Sequence, residues 1–252
     1  MIMQIAWTDV APDTGRAHTR DFTLRHHGRD VPGAMWLPSN GPPEALILVG
    51  HGGSRHKREV STLNFIGAMV ENYNFAAAAI DGPIHGARGH GLSPDPSARQ
   101  MAFLDLWKKP GNGIENMVSD WQASLTALLE LPELRDIPIG YFGLSMGTAY
   151  GLPFIADDER IGAAVLGMWG INYPNSTVLV DRAKLVKCPV LFLHKSEDVF
   201  FTLEGALKIY RALQGDDKRF MMHEGAHEPA TPEQTNLAIR FLVERLMTRA
   251  NP

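Results

Sequence analysis

A serine flanked by glycines stands where a short apolar run ends. Residues 139–149 read IGYFGLSMGTA, so Ser145 lies in a G-x-S-x-G pentapeptide between an apolar segment and a run of small residues. A serine on a sharp turn from strand to helix packs its flanks against neighbouring backbone, which leaves no room for side chains at Gly143 and Gly147. The helix that would follow points the positive end of its dipole at the serine. The pattern predicts that Ser145 is a nucleophile.

Two further residues have the chemistry that such a serine needs. Because the chain contains 24 glycines, the pentapeptide alone arises easily by chance, and the prediction depends on its partners. A serine hydroxyl attacks a carbonyl when an imidazole accepts its proton and an acid fixes the tautomer of that imidazole. Asp198 follows an apolar run at 190–193, and His227 lies in a loop after the segment that ends near Met222. The order Ser, Asp, His is that of the α/β-hydrolases.

Other residues near Asp198 and His227 could serve as the acid or the base. Glu197 precedes Asp198, and Asp181 lies at the end of a possible cap segment. We expect Asp198 to be the acid. His223 is the rival base, but it ends a predicted strand, whereas His227 lies in the loop beyond, from which a base reaches over the sheet. We therefore expect His227 to be the base.

Backbone amides near the nucleophile are the expected stabilisers of the oxyanion that forms during acyl transfer. One donor normally belongs to the residue after the nucleophile, which here is Met146. The second comes from a loop after an earlier strand, and LVGHGGS at 48–54 follows the apolar run at 45–49. The amide of Gly53 is the predicted second donor, with Ser54 as the alternative.

Apolar runs and amphipathic patterns alternate along most of the chain and predict the elements that hold these residues. A hairpin is predicted at 21–37, turning around 28–30. Buried parallel strands are predicted at 45–49, 75–80, 137–142, 163–166, 189–193 and 219–222. Such alternation builds a mostly parallel sheet with helices on both faces and with ligand sites at the carboxyl ends of its strands.

Three segments between these strands and one after the last strand have helical periodicity. Their inward faces are predicted to be Leu63, Ile66, Gly67 and Val70; Ile114, Met117, Val118, Trp121, Leu125 and Leu128; Leu203, Ala206, Leu207, Tyr210 and Leu213; and Leu237, Ala238, Phe241 and Leu242. Asn112 and Glu115 indicate the start of the second helix, and Gly215 ends the third. Thr231, Pro232 and Gln234 predict a capped start for the last one.

The motifs together resemble those of the α/β-hydrolase superfamily. They are HGGS at 51–54, DGPIHGARG at 81–89, GLSMG at 143–147, KSED at 195–198 and GAH at 225–227. The likeness is strongest to the dienelactone-hydrolase-like and monoacylglycerol-lipase-like esterase branches and runs from about Ala45 to the C-terminus. It implies an α/β-hydrolase fold over a single domain, 1–252, with a mostly parallel sheet of about eight strands, helices on both faces and a small cap. It implies no metal and no organic cofactor.

The resemblance implies a serine hydrolase that cleaves a carboxylic ester of a small or medium-sized substrate through an acyl-enzyme. Dienelactone hydrolases proper usually carry a cysteine nucleophile, so the serine here does not imply lactone opening of that type. A thioesterase, a lactonase, a carbon–carbon bond hydrolase or a perhydrolase would use the same residues, because fold and triad do not select the scissile bond. A ligand-binding receptor that has lost turnover is the non-enzymatic alternative.

Two segments are candidates for the cap and the substrate pocket, namely 83–112 and 167–186. Because only about 20 residues separate Leu166 from Cys188, the cap is expected to be small and short or medium acyl chains to be preferred. The predicted pocket residues are Ser54, Trp107, Met168, Trp169 and Tyr173.

Composition excludes several classes of protein. A net charge of -4 without a run of like charge argues against a nucleic-acid or lipid surface, and 252 residues suit one domain. The single cysteine, Cys188, is expected to be buried and excludes an intramolecular disulfide.

The spacing of the four histidines at 51, 56, 85 and 90 suits no compact metal site, so 51 and 85 are expected to hold loop backbone and 56 and 90 to face solvent. The first residues lack a signal-peptide pattern and no segment reaches membrane-spanning length, which predicts a cytoplasmic protein. The sequence predicts no oligomeric state.

Overall fold

A nine-stranded sheet with helices on both faces organises the chain in a computed structural model that describes residues 5–12, 15 and 17–248. The strands are β1 (Ile5–Asp9), β2 (His18–His26), β3 (Arg29–Leu37), β4 (Leu46–Gly50), β5 (Ala76–Ile80), β6 (Ile139–Gly143), β7 (Ile161–Gly167), β8 (Val190–Lys195) and β9 (Lys218–His223). The helices are α1 (Val60–Tyr73), α2 (Pro96–Trp107), α3 (Ile114–Leu128), α4 (Met146–Ala156), α5 (Val178–Ala183), α6 (Leu203–Ala212) and α7 (Pro232–Met247).

The sheet is antiparallel at its N-terminal edge and parallel elsewhere. Its strand order is β1-β2-β3-β5-β4-β6-β7-β8-β9, and the pairs from β5 to β9 are parallel. Alternate residues of β4 enter two separate cores: Leu46 and Leu48 pack with α2 to α6, whereas Ile47 and Val49 pack with α1 and α7. The C-terminal ends of β4, β6, β8 and β9 therefore reach one edge of the sheet, as parallel strands require.

The six predicted parallel strands are confirmed, each within two residues at either end. The hairpin is confirmed as β2 and β3, but its predicted turn is wrong by one to two residues. His27 and Gly28 form the turn with φ of 45° and 75°, as a two-residue turn of type I′ requires, and Arg29 is already paired with His26. The ninth strand, β1, adds one to the predicted eight, and α2 was not predicted because its segment is rich in glycine and proline.

The predicted helices are present, with two corrections to their inward faces. Helix α3 spans the predicted inward face, but the predicted start is wrong by one residue, because its N-cap is Gly113, which has no side chain to cap the helix. Thr231 and Gln234 form the predicted capping box at α7. The buried face of α1 is Thr62, Phe65, Ile66, Met69 and Val70, so the prediction for Leu63 and Gly67 was rotated by about one position. In α6, Leu203 is exposed because it lies in the first turn. Among the described residues, no helix has the length and apolar character needed to cross a membrane.

Candidate active site

Ser145 lies on a strained turn between β6 and α4. Its backbone has φ 57° and ψ -118°, a conformation that a residue with a side chain adopts only when its surroundings enforce it. A Cβ atom on Gly147 would lie 2.5 Å from the carbonyl oxygen of Gly50, and one on Gly143 would lie 2.8 Å from that of Gly147. The glycines therefore let α4 pack directly against the end of β4, which holds the serine at the edge of the sheet.

A continuous chain of hydrogen bonds joins the three side chains named from the sequence. Ser145 Oγ lies 2.9 Å from His227 Nε2, and His227 Nδ1 lies 2.7 Å from Asp198 Oδ2. The other oxygen of Asp198, Oδ1, accepts hydrogen bonds from the backbone amides of Phe200 and Phe201, at 2.9 and 3.0 Å. Because a carboxylate only accepts, Nδ1 of His227 carries the proton and Nε2 is free to accept one from the serine.

The rival acids and the rival base lie elsewhere. Asp181 is exposed and pairs with Lys184 at 2.7 Å, and Glu197 is also exposed. His223 ends β9, where its carbonyl accepts the amide of Ser196, and the structure brings it into no hydrogen bond with the serine. The geometry therefore favours the expected set over each of its alternatives.

One predicted oxyanion donor follows Ser145 in the chain, and the other lines the same cavity. The Met146 amide is the first of α4, where helix amides have no partner within the helix. Gly53 and Ser54 line the same cavity as Ser145, on the loop after β4. A Cβ atom on Gly53 would lie 2.7 Å from Cδ1 of Phe103, so the Phe103 ring packs directly on the glycine backbone.

Two buried histidines hold this loop, as the sequence predicted for both. His51 Nε2 accepts a hydrogen bond from the Gly82 amide at 2.9 Å, so its Nδ1 is protonated and donates to the carbonyl of Gly52 at 2.9 Å. His85 Nε2 donates to the carbonyl of Gly53 at 2.7 Å. Burial lowers the pKa of His51 to about 4 and that of His85 to about 3, so both imidazoles are neutral near pH 7. His56 and His90 are exposed, also as expected.

A buried ion pair ties the loop after β4 to the loop after β5. The carboxylate of Asp81 is fully buried and accepts from Lys57 Nζ at 2.7 Å and from the amides of Lys57 and Ala87. Burial opposes ionisation of Asp81, but the charge of Lys57 and these hydrogen bonds outweigh it and hold the pKa of the carboxyl below its usual value. The two loops that carry Gly53 and His85 are thus fastened together.

A cavity that is open to solvent borders Ser145 and His227. Ser54 and Met168 of the predicted pocket residues line it. The prediction for Trp107, Trp169 and Tyr173 was wrong. The two indole rings lie 5.0 Å apart, fully buried, and both donate to Ser176 Oγ, while Tyr173 packs against Trp169. These rings pack on one another because burial of aromatic area is more favourable than lining a wet cleft.

The lining includes residues that sequence reasoning missed. Phe65 from α1, Gln100 from α2 and Pro229 after the histidine face the cavity together with Arg55. Helical periodicity would have placed Phe65 on the buried side of α1, whereas no local pattern points to Gln100. Of the two candidate cap segments, 167–186 contributes Met168 and 83–112 contributes Gln100. No group of three or more His, Cys, Asp or Glu residues within the described ranges could hold a metal ion, and Cys188 is buried.

Comparison with known proteins places this geometry among hydrolases. Residues 86–233 match the model of the dienelactone hydrolase family. A cold-adapted esterase from an Arctic intertidal metagenomic library is 32% identical and superposes with a TM-score of 0.82, over 96% of this chain and 99% of that one. A comparison with curated proteins finds no significant match.

Two more distant structures show likeness of fold alone. Acetyl xylan esterase 1 from Thermoanaerobacterium sp. is 16% identical, with a TM-score of 0.67 over 97% of this chain and 88% of that one. Dienelactone hydrolase from Anabaena variabilis is also 16% identical, with a TM-score of 0.66 over 93% and 99% of the two chains. The shared architecture thus extends over almost the whole of each chain.

Proposed function

Because this chain belongs to the dienelactone hydrolase family and is a hydrolase of the α/β-hydrolase fold, we propose that it cleaves a carboxylic ester of a small or medium-sized substrate through an acyl-enzyme. The observation that carries the proposal is the hydrogen-bonded chain from Ser145 through His227 to Asp198. The 32% identical relative is an esterase, which supports an ester as the substrate class. Ser145 is the nucleophile, His227 the base and Asp198 the acid that orients it.

The proposed reaction has two steps, and His227 carries the proton in both. Ser145 Oγ forms a bond to the ester carbonyl carbon while its proton passes to His227 Nε2, and the oxyanion accepts hydrogen bonds from the amides of Gly53 and Met146. The bond from the carbonyl carbon to the alcohol oxygen then breaks, and the proton on His227 passes to that oxygen. Water next attacks the acyl-serine, again giving its proton to His227, which returns it to Ser145 Oγ as the carboxylic acid leaves.

The cavity supports a preference for short or medium acyl groups. The aromatic side chains of the candidate cap segments pack against one another instead of enclosing a long channel. We therefore expect kcat/KM for p-nitrophenyl acetate or butyrate to exceed that for p-nitrophenyl octanoate. Equal or higher values for octanoate would contradict this preference and leave the ester hydrolysis itself unaffected.

Replacement of the nucleophile tests the proposed function. Ser145→Ala is expected to lower kcat for p-nitrophenyl acetate by about 10⁴-fold or more, and a fluorophosphonate probe is expected to label the wild type but not this variant. Ser93→Ala, in an exposed loop, is the matched control and should retain both activity and labelling. Wild-type protein that neither turns over esters nor reacts with the probe would overturn the proposal.

A further inference from the structure

Two imidazoles hold the backbone around the Gly53 amide. His51 donates to the carbonyl of Gly52, and His85 donates to the carbonyl of Gly53. We propose that His85 is a positioning residue of the oxyanion site, which fixes the Gly53 amide by donating a hydrogen bond to the Gly53 carbonyl. The inference rests on the proposed function, because it takes that amide as an oxyanion donor. His85 itself touches neither Ser145 nor the cavity beside it.

Within the described part of the chain, one ring nitrogen of His85 has a hydrogen-bond partner and the other has none. The residue lies in the loop after β5, 32 positions from Gly53, and its side chain is buried between the rings of His51 and Phe103. Nε2 lies 2.7 Å from the carbonyl oxygen of Gly53, whereas the buried Nδ1 has no partner in the described part of the chain. A neutral ring protonated at Nε2 is the form that suits both atoms, and the lowered pKa agrees with it.

The two carbonyls determine where the amide of Gly53 points. Because a trans peptide unit is planar, the N–H of Gly53 points away from the carbonyl of Gly52. That carbonyl accepts from His51 Nδ1 at 2.9 Å and from the amide of Arg55 at 3.0 Å. His85 holds the next peptide unit through the carbonyl of Gly53. With both units held, rotation about the backbone bonds of Gly53 is restricted, although glycine otherwise has the greatest backbone freedom of any residue.

Restricting Gly53 affects the transition state more than the bound substrate. An oxyanion donor must lie about 2.7–3.1 Å from the developing negative charge, and an error of about 1 Å costs on the order of 100-fold in rate. The neutral carbonyl of a bound ester gains much less from the same donor. Loss of the bond from His85 should therefore lower kcat and leave KM nearly unchanged.

A pair of amide variants distinguishes this role from packing. The side-chain nitrogen of Gln reaches about as far from the backbone as Nε2 of histidine, whereas that of Asn reaches only as far as Nδ1. His85→Gln should keep kcat for p-nitrophenyl acetate within about fivefold of the wild type, and His85→Asn should lower kcat roughly 10- to 100-fold with KM changed less than about threefold. The Ki of a trifluoromethyl ketone, which forms a tetrahedral oxyanion on the serine, should rise in His85→Asn in parallel with the loss of kcat/KM.

Each result decides for or against the inference. Equal kcat in the Gln and Asn variants, or a loss expressed in KM alone, would overturn it. Urea unfolding of both variants shows whether they are folded, and if the Asn variant is not, His85→Met takes its place as a buried side chain without a donor. Failure of the proposed function shows separately, as Ser145→Ala protein that hydrolyses the ester as fast as the wild type.

Discussion

At the scale of single residues, the imidazole of His227 lies between two oxygen atoms with different proposed tasks. Nδ1 donates to Asp198, and Nε2 is placed to accept the proton of Ser145. The amides of Phe200 and Phe201 hold the far oxygen of the carboxylate, and the same two rings flank the imidazole at 5.3 and 5.4 Å. The acid therefore has little freedom to turn away from the base.

Asp198→Asn tests the orienting acid. The amide nitrogen of Asn would donate where the carboxylate accepts, which favours the tautomer of His227 with its proton on Nε2 and unable to accept from serine. We expect kcat for p-nitrophenyl butyrate to fall by about 10³- to 10⁴-fold, with the fold intact by circular dichroism. Asp181→Asn, which removes an exposed carboxylate paired with Lys184, is the matched control. A larger loss in the control than in Asp198→Asn would reassign the acid.

The buried histidines predict how stability depends on pH. In the unfolded chain a histidine binds a proton below about pH 6.5, whereas in the folded state His51 does so only below about 4 and His85 below about 3. Because the unfolded state binds more protons in this window, the free energy of unfolding falls as the pH falls from 6.5 towards 4, by at most about 1.4 kcal/mol per pH unit for each histidine.

Urea unfolding between pH 4 and 7 measures this dependence. His85→Gln should make the slope shallower by about one proton, because it removes one of the histidines whose pKa is lowered by burial. His90→Gln, at an exposed position, should leave the slope as in the wild type. A slope in His85→Gln as steep as that of the wild type would contradict the prediction.

At the scale of elements, the packing of α4 on the end of β4 holds the nucleophile. Gly147→Ala would bring a Cβ atom to 2.5 Å from the Gly50 carbonyl oxygen, and backbone on both sides leaves no flexible side chain to move. We expect a loss of roughly 1–3 kcal/mol in the free energy of unfolding. Esterase activity should fall as well, because any shift of α4 moves Ser145 and the Met146 amide together.

A second glycine provides the control for this variant. In Gly52→Ala the new Cβ would lie 3.6 Å from the nearest atom, Cγ of Arg55, which is an ordinary contact. Its free energy of unfolding should stay within about 0.5 kcal/mol of the wild type. Equal stability of the Gly147 and Gly52 variants would show that the close approach of α4 to β4 does not constrain the turn.

At the scale of the whole molecule, one buried carboxylate joins three distant parts of the chain. Asp120 on α3 is fully buried and pairs with Arg29 at the start of β3 and with Arg88 in the loop after β5, both at 2.8 Å. The N-terminal hairpin is thereby linked to the loop that carries His85. We propose on this ground that the hairpin and the remaining sheet unfold together as one domain.

Asp120→Asn tests that coupling. Removing the negative charge leaves two arginines without their buried partner, which costs about 3–5 kcal/mol. Urea unfolding should show one transition with a lower midpoint. Asp30→Asn, which breaks the exposed pair with Arg25, should shift the free energy of unfolding by less than about 1 kcal/mol. Two separate transitions in the wild type would contradict a single domain.

Much of the fold and of the candidate site could be predicted from local patterns in the sequence. The six parallel strands, the inward face of α3 and the capping box of α7 follow from periodicity and cap residues, which are properties of neighbouring positions. The order of Ser145, Asp198 and His227 follows from the motifs, and the structure brings their side chains into one chain of hydrogen bonds. Strand β1 and helix α2 were not predicted, because the hydrophobic periodicity of their segments is weak or interrupted.

The sequence by itself determined the fold class and named the three hydrogen-bonded side chains, because strand and helix periods and motif order are encoded along the chain. The tertiary structure alone decided which residues line the cavity. Trp107 and Trp169, which composition assigned to the pocket, lie in the core, and Gln100 faces the cavity instead. It also decided that His85 holds Gly53, 32 positions away. Such contacts depend on how separate loops and helices pack against each other, and no periodicity within either segment encodes that packing.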